Sequence, residues 1–327
     1  MMTLRSRLLG YLSDGHYHSG AVLGTRLGVS RMAVWKHVDA LRDLGIPIES
    51  VHGKGYCLPG ATELLDAAAI RAQVAADTQA RLGVVETFLE IDSTSNWLRA
   101  QALDGAPSGT VCLAEIQHAG RGRRGRTWVS PFAANLYLSL LWRSSAGVAA
   151  LGGLSLVAGI AVLRCLQAHG VHSAALKWPN DLLVNGSKLA GVLIDVVGES
   201  TGPCAVIIGI GLNVEMSDRA AADIDQPWVD LRTLTGAERL SRNHLAATLL
   251  DQLMPAIRLF EAEGMPAFMA EWRRHDAAHG REVELHLNNE VIFGTACGID
   301  VGGALLVETA AGRRRFTTGE VSLRVTP

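Results

Sequence analysis

The chain has 327 residues, more than one hydrophobic core usually serves, so two or three domains are expected. Hydrophobic residues make up 48% and charged residues 19%, which excludes a disordered chain, and a net charge of −2 excludes a global field that gathers polyanions. Cys57, Cys112, Cys165, Cys204 and Cys297 are scattered, odd in number and form no CxxC, so they read as reduced thiols of a cytoplasmic protein, with neither a disulfide framework nor a zinc site.

The charge is uneven. Residues 1–60 hold seven Lys and Arg against four Asp and Glu, and four histidines besides. Leu4, Leu8, Leu9 and Leu12 recur near the helical period. Ser19 caps a second helix to about Leu27, Gly28 turns the chain, and Ser30 caps a third to about Leu44, closed by Gly45 and Pro47. This is helix-turn-helix spacing. Strands over 46–50 and 56–58 flank a Gly53-Lys54-Gly55 tip and form a wing. Val34, Val38 and Leu41 make the core stripe of the third helix. Ser30, Arg31, Trp35 and Lys36 are the DNA-binding candidates at its N-terminal end, where major-groove readers act, with Lys54 on phosphate. A three-helix protein-binding module fits the same pattern. The N-terminus shows no signal-peptide apolar core.

Pro59-Gly60 mark a boundary, and domains are expected over 1–62, 63–274 and 275–327. Residues 63–81 read as one alanine-rich helix. Strands over 84–91, 110–117, 136–142, 174–177, 182–184, 189–197 and 204–214 alternate with helices over 95–103, 151–169, 241–260 and 265–274. That is an α+β domain on a mixed sheet, and no GxGxxG joins a strand to a helix in the Rossmann manner. The uncharged run 144–163 approaches a membrane-spanning length, but Gly147, Gly152, Gly153, Ser155 and Gly159 favour a buried helix over a span. Short runs over 281–287, 291–299, 304–308, 314–316 and 321–325, separated by Asn288-Asn289, Gly302-Gly303 and Ala311-Gly312, predict a small C-terminal barrel or sandwich.

Three stretches carry chemistry. Residues 120–126 read Gly-Arg-Gly-Arg-Arg-Gly-Arg, a composition that neither helix nor strand favours. Glycines admit a ligand to the backbone and arginines offer fork-shaped donors to phosphate, although a basic surface loop has the same look. Residues 177–181 read Lys-Trp-Pro-Asn-Asp and are followed by Lys188. Two lysines and a carboxylate suit nucleotide chemistry, with Asp181 a fair magnesium ligand; a salt-bridged surface turn is the alternative. Residues 92–96, Asp-Ser-Thr-Ser-Asn, stand at a strand-to-helix junction. They serve as a capping cluster, as hydroxyls for a polar head group, or as both, with Gln117 a further partner.

Together, 120–126, 177–181 and 188–191 in this order resemble the biotin–protein ligase family. The N-terminal winged helix makes the chain similar to the bifunctional members that also repress biotin synthesis. The resemblance implies a winged helix-turn-helix domain, a class II synthetase-like catalytic domain and an SH3-like C-terminal β-barrel. It places Ser93, Thr94 and Gln117 on the ureido head of biotin, with Ser95 where the family usually has Asn. Arg121, Gly122 and Arg123 become the loop closing over biotin and the acyl-adenylate. Lys188 contacts the carboxylate and the phosphate, and Asp181 lies near Mg2+. Arg121, Arg123, Arg124, Arg126, Lys177, Asn180 and Asn213 lie near the nucleotide, and Trp228 stacks on adenine. Catalysis falls to Lys188, Arg123 and Asp181. The implied activity forms biotinyl-5′-AMP from biotin and ATP and transfers biotin to a lysine of the biotin carboxyl carrier protein of acetyl-CoA carboxylase. A ligand-promoted homodimer on biotin operator DNA is implied too. A ligase with a vestigial winged helix, a lipoate-type acyltransferase and a non-catalytic sensor are the other readings. The arginine loop is expected to be mobile without ligand.

Overall fold

The computed structural model describes residues 3–198, 202–217, 221–222, 224–237, 240–287, 290–317 and 322–325. Helices α1 (Leu4–Leu12), α2 (Gly20–Leu27) and α3 (Arg31–Asp43) begin where hydroxyls cap them: Thr3, Ser19 and Ser30 each accept a first-turn N–H. Gly28 ends α2 with φ 71°. The wing pairs β1 (Glu49–Val51) with β2 (Gly55–Cys57). The first wing strand starts three residues later than expected. Pro47 has no N–H, and the Ile46 and Ile48 N–H groups turn back to Leu41 O and Ile46 O. Leu89, Ile116 and Phe132 of the next unit join the winged-helix core, and Arg5 donates to Glu90 at 2.8 Å.

The single helix expected over 63–81 is two, α4 (Ala67–Gln73) and α5 (Ala76–Gln79). They part where the Ala75 N–H donates outward to the Asp251 carboxylate at 3.0 Å. The central unit continues through β3 (Val85–Ile91), α6 (Thr94–Leu103), β4 (Val111–Gln117), β5 (Asn135–Ser144) and α7 (Leu154–Ala168). It is completed by β6 (Ala175–Lys177), β7 (Asp181–Val184), β8 (Ser187–Val197), β9 (Cys204–Asn213), α8 (Leu231–Thr235), α9 (Arg242–Glu263) and α10 (Met269–His275). Among the described residues seven strands form a mixed sheet, β3-β4-β5-β9-β8-β7-β6, parallel at β3/β4 and antiparallel elsewhere. Helices α7 and α9 pack together on one face, and α6 packs on β4, β5 and β9.

Helix α7 is apolar enough to cross a membrane together with the turn before it. Eleven of its fifteen residues are buried, however, so it is a core helix as expected. It starts later than expected because Gly152-Gly153 break the chain, with Gly153 at φ 88°.

The C-terminal unit holds β10 (Glu282–His286), β11 (Val291–Ile299), β12 (Leu305–Thr309), β13 (Gly312–Phe316) and β14 (Ser322–Val325). These make an antiparallel sheet in the order β13-β12-β11-β10-β14 among the described residues. The expected Asn288-Asn289 turn and residue 321 lie outside those residues. The unit is tied to the mixed sheet by Trp178, buried, whose indole N–H donates to Gly303 O at 3.1 Å.

Candidate active site

The residues expected to hold biotin and nucleotide line one cavity of about 590 Å³ at one end of the mixed sheet, while the DNA-binding candidates Ser30, Arg31, Trp35, Lys36 and Lys54 lie outside it, in the winged helix. Ser93, Thr94, Ser95 and Gln117 line it, as do Arg121, Gly122, Arg123, Arg124 and Arg126. Lys177, Asn180, Asp181, Lys188, Asn213 and Trp228 complete the set.

Asp181 and Lys188 form the charged centre, with Nζ 2.8 Å from Oδ1 and both side chains largely shielded. A register shift brings them together. Asp181 pairs with Gly191 and Leu182 with Ala190, but Leu183 pairs with Lys188, leaving Leu189 as an extra residue. Side chains alternate along a strand, so uninterrupted pairing would put Lys188 opposite Val184, on the core face. The bulge turns it onto the face of Asp181. The tight turn that returns the chain is Asn185-Gly186, with φ 49° and 80°, the positive pair a type I′ hairpin requires. Lys177 lies opposite Asp181 on the other side.

The Lys188 backbone is held at both ends. Its N–H donates to Pro227 O at 2.9 Å, and its carbonyl accepts from the Val229 N–H at 3.0 Å. That pairing sets Trp228 beside Lys188 although forty residues separate them. Asn213 secures it, its amide donating to Lys188 O and Val229 O at 3.3 and 3.1 Å. Asn180 is likewise turned to backbone, donating to Val192 O at 2.7 Å.

The floor is made of hydroxyls. Ser93 caps α6, Thr94 and Ser95 both reach Ser139 Oγ at 2.8 and 3.0 Å, and the Thr94 N–H donates to Gln117 Oε1 at 2.9 Å. Gln117 passes the chain of bonds to Ser130, and Ser130 to Trp128 O. Asn96 takes a different place, accepting from Arg121 at 2.6 Å on the rim. Ser95 therefore belongs to the floor, and the neighbouring amide steadies the loop.

Residues 120–126 form a hairpin. Gly122 N–H donates to Arg126 O at 2.7 Å, Trp128 N–H donates to Gly120 O at 2.9 Å, and Arg121 bridges to Thr127. Arg124 and Gly125 make the bend, with φ 58° and 72°. Arg121 reaches Asp195 at 3.3 Å. Burial lowers the Arg123 pKa from its ordinary value, Asp181 opposes that, and Arg124 and Arg126 add to it. A guanidinium stays charged at neutral pH regardless.

Trp128 and Ser139 were missed in the sequence. The Trp128 ring stands 5.4 Å from Lys188 Nζ, over paired Gly191 and Gly211. A Cβ at Gly211 would fall 2.3 Å from the indole, and one at Gly209 would fall 2.8 Å from Ser95 Oγ. Glycines two apart on one strand were the available signal for groups lying flat on the sheet.

Family models match in three places. The biotin/lipoate A/B protein ligase family covers residues 88–213, an HTH domain 5–57 and the biotin protein ligase C-terminal domain 278–324. The class is thus a protein ligase with an attached helix-turn-helix. The chain is 42% identical to the bifunctional ligase/repressor BirA of Salmonella typhimurium and 41% identical to that of Escherichia coli, over 98% of each chain. It is 36% identical to a biotin–[acetyl-CoA-carboxylase] ligase of Paracoccus denitrificans, over 70% of this chain and 96% of that one. The Aquifex aeolicus biotin protein ligase in complex with biotin and ATP superposes with a TM-score of 0.64 at 28% identity, covering 74% of this chain and 99% of that one. The chain belongs to the bifunctional biotin ligase/repressor family.

Proposed function

We propose that this cavity makes biotinyl-5′-AMP from biotin and ATP and passes biotin to a lysine of the biotin carboxyl carrier protein of acetyl-CoA carboxylase. The observation that carries the reading is the continuity of one cavity from the Thr94–Ser95–Gln117 floor to the Lys188–Asp181 pair and the arginine loop. A polar floor holds the ureido head, and Lys188 and Arg123 meet the two anions that must approach each other. A carboxylate does not react with an amine at a useful rate, because oxide is a poor leaving group. In the first step the biotin carboxylate oxygen bonds to the α-phosphorus and pyrophosphate leaves. Lys188 and Arg123 offset the charge that builds on the phosphorus. In the second step the acceptor amine attacks the mixed anhydride and AMP leaves. The arginine loop excludes water from the anhydride meanwhile, and Trp228, fixed beside Lys188, supplies a face for adenine.

Among the described residues no cluster of three metal-ligating side chains exists. Asp181 fits a magnesium brought by the phosphates of ATP, which would neutralise phosphate charge, since such ions use one or two carboxylates plus substrate oxygens. We assign the winged helix to biotin operator DNA, in a homodimer promoted by adenylate, and the protein to the cytoplasm. Its thiols, free among the described residues, suit that compartment. The functional division falls at 1–62, 63–274 and 275–327.

The test is mass spectrometry of a carrier domain after incubation with the protein, biotin, ATP and Mg2+. Gain of one biotinyl group on one lysine is expected, and an unchanged mass refutes the reading. Operator binding that ignores biotin and ATP refutes the regulatory part.

A further inference from the structure

The first two turns of α3 expose two large apolar side chains, one mostly and one by half. Met32 is 70% exposed and Trp35 is 49% exposed. The buried stripe of the helix is Val34, Val38 and Leu41. With about 3.6 residues per turn, Met32 and Lys36 then point away from the core, and Trp35 lies between them and Arg31. The surroundings are basic: Arg31 and Lys36 are exposed, as is Lys54 at the wing tip. A Cβ added at Gly20 would stand 3.3 Å from Arg31 Cγ and 3.4 Å from the Tyr56 ring, so the start of α3 lies beside wing strand β2. Farther along, the outward positions are Asp39 and Asp43, both exposed, which repel phosphate. Charge therefore admits only the first two turns to a DNA groove.

Within those turns the chemistry is specific. Helix α3 contains no Asn or Gln to hold adenine by two bonds. Arg31 and Lys36 suit guanine or phosphate. A thioether and an indole edge cannot replace them, but they match the one apolar group a base presents in the major groove, the thymine methyl.

We propose that Met32 and Trp35 read thymine methyl groups, so that the preferred DNA site carries thymines facing the N-terminal end of α3. This rests on the reading of the winged helix as a DNA-binding domain. The full-length protein, with biotin, ATP and Mg2+, is used to select duplexes from a random pool. Each thymine of the preferred duplex is then replaced by deoxyuridine, which removes the methyl alone. Binding weakens about fourfold at each methyl that is read, the effect of losing one buried carbon. Met32→Ala and Trp35→Ala each abolish that sensitivity at one position, while Met32→Leu keeps it. All three remain folded, because neither side chain belongs to the winged-helix core.

A selected duplex indifferent to every deoxyuridine overturns the proposal, as does sensitivity that survives in both alanine variants. Retention of DNA without any enriched sequence also overturns it. If no DNA is retained at all, the DNA-binding reading fails as well, and the patch faces a protein.

Discussion

Gly211→Ala tests whether the glycine floor under Trp128 sets the catalytic geometry. The added Cβ would meet indole atoms at 2.3, 2.5 and 2.8 Å. Ordinary carbon contacts begin at about 3.5 Å, so the ring must move by roughly 1 Å. It has little room to do so. Gly191 bounds it on the neighbouring strand, where a Cβ would stand 3.1 Å from the ring, and the Trp128 backbone N–H is tied to Gly120 O at 2.9 Å, which limits how far the residue can shift. The φ of Gly211 is not positive, so the cost is overpacking alone, about 1–3 kcal/mol of stability. The functional cost is larger, because the indole shares a contact with Lys188 and a misplacement of about 1 Å lowers turnover by around a hundredfold. Biotin-dependent ATP–pyrophosphate exchange reads the turnover, and thermal unfolding reads the stability. Wild-type values in both refute the reasoning. In a Trp128→Ala background the same substitution is expected to cost far less, since the group it strikes is gone.

Lys188→Ala is expected to bring pyrophosphate exchange near background, and Lys188→Arg not to restore it, since a planar fork does not replace a point charge; exchange at the wild-type rate by the alanine variant contradicts the assignment. Arg123→Gly keeps part of adenylate formation but releases the adenylate, seen as biotinylation of bystander lysines; a variant as retentive as wild type removes the sealing role. Glu115→Ala takes the carboxylate from buried Arg242, 2.8 Å away, and the acceptor from the Leu65 N–H at 2.6 Å. The expected loss is about 3–5 kcal/mol by denaturant titration, and an unchanged midpoint refutes it. Burial raises the Asp276 carboxyl above its ordinary value, outweighing the Ala278 N–H that donates to it. Its contribution to stability is therefore full below the unfolded value and lost as pH rises through the folded one. Asp276→Asn should be the more stable protein at neutral pH, with the difference closing as pH falls through the carboxylate range; a difference independent of pH contradicts this.

Much of the frame was legible because its signals are local. Ser19, Ser30 and Gly28 mark the ends of α2 and α3 through groups within four residues of each helix end. The residues of the cavity were legible as types: arginines beside glycines, and a carboxylate between lysines. Pairing was not. Whether Lys188 faces Asp181 or the core depends on one extra residue in β8, and no periodicity announces a bulge. Asn185-Gly186 would have located the turn but not the slip beyond it. Trp128 escaped notice because its role lies in what it covers, and Gly191 and Gly211 come from two other strands. The break between α4 and α5 escaped for the same reason, since Asp251, which draws the Ala75 N–H away, is distant in sequence.

The loop and the lysine are consequently one device. Trp128 ends the arginine hairpin through its bond to Gly120, and its ring stands against Lys188. Its carbonyl also accepts from Ser130, which receives the bond chain from Gln117 and Thr94 on the floor. A head group that pulls on Gln117 thus acts through two hydrogen bonds on the stem of the loop. The loop in turn sets the face that Lys188 packs on. Closure over the adenylate and placement of the activating charge should fail together when Trp128 is removed, whereas two independent parts would fail apart. Pyrophosphate exchange and adenylate retention measured on Trp128→Ala decide between them, and loss of one with the other intact excludes the coupling.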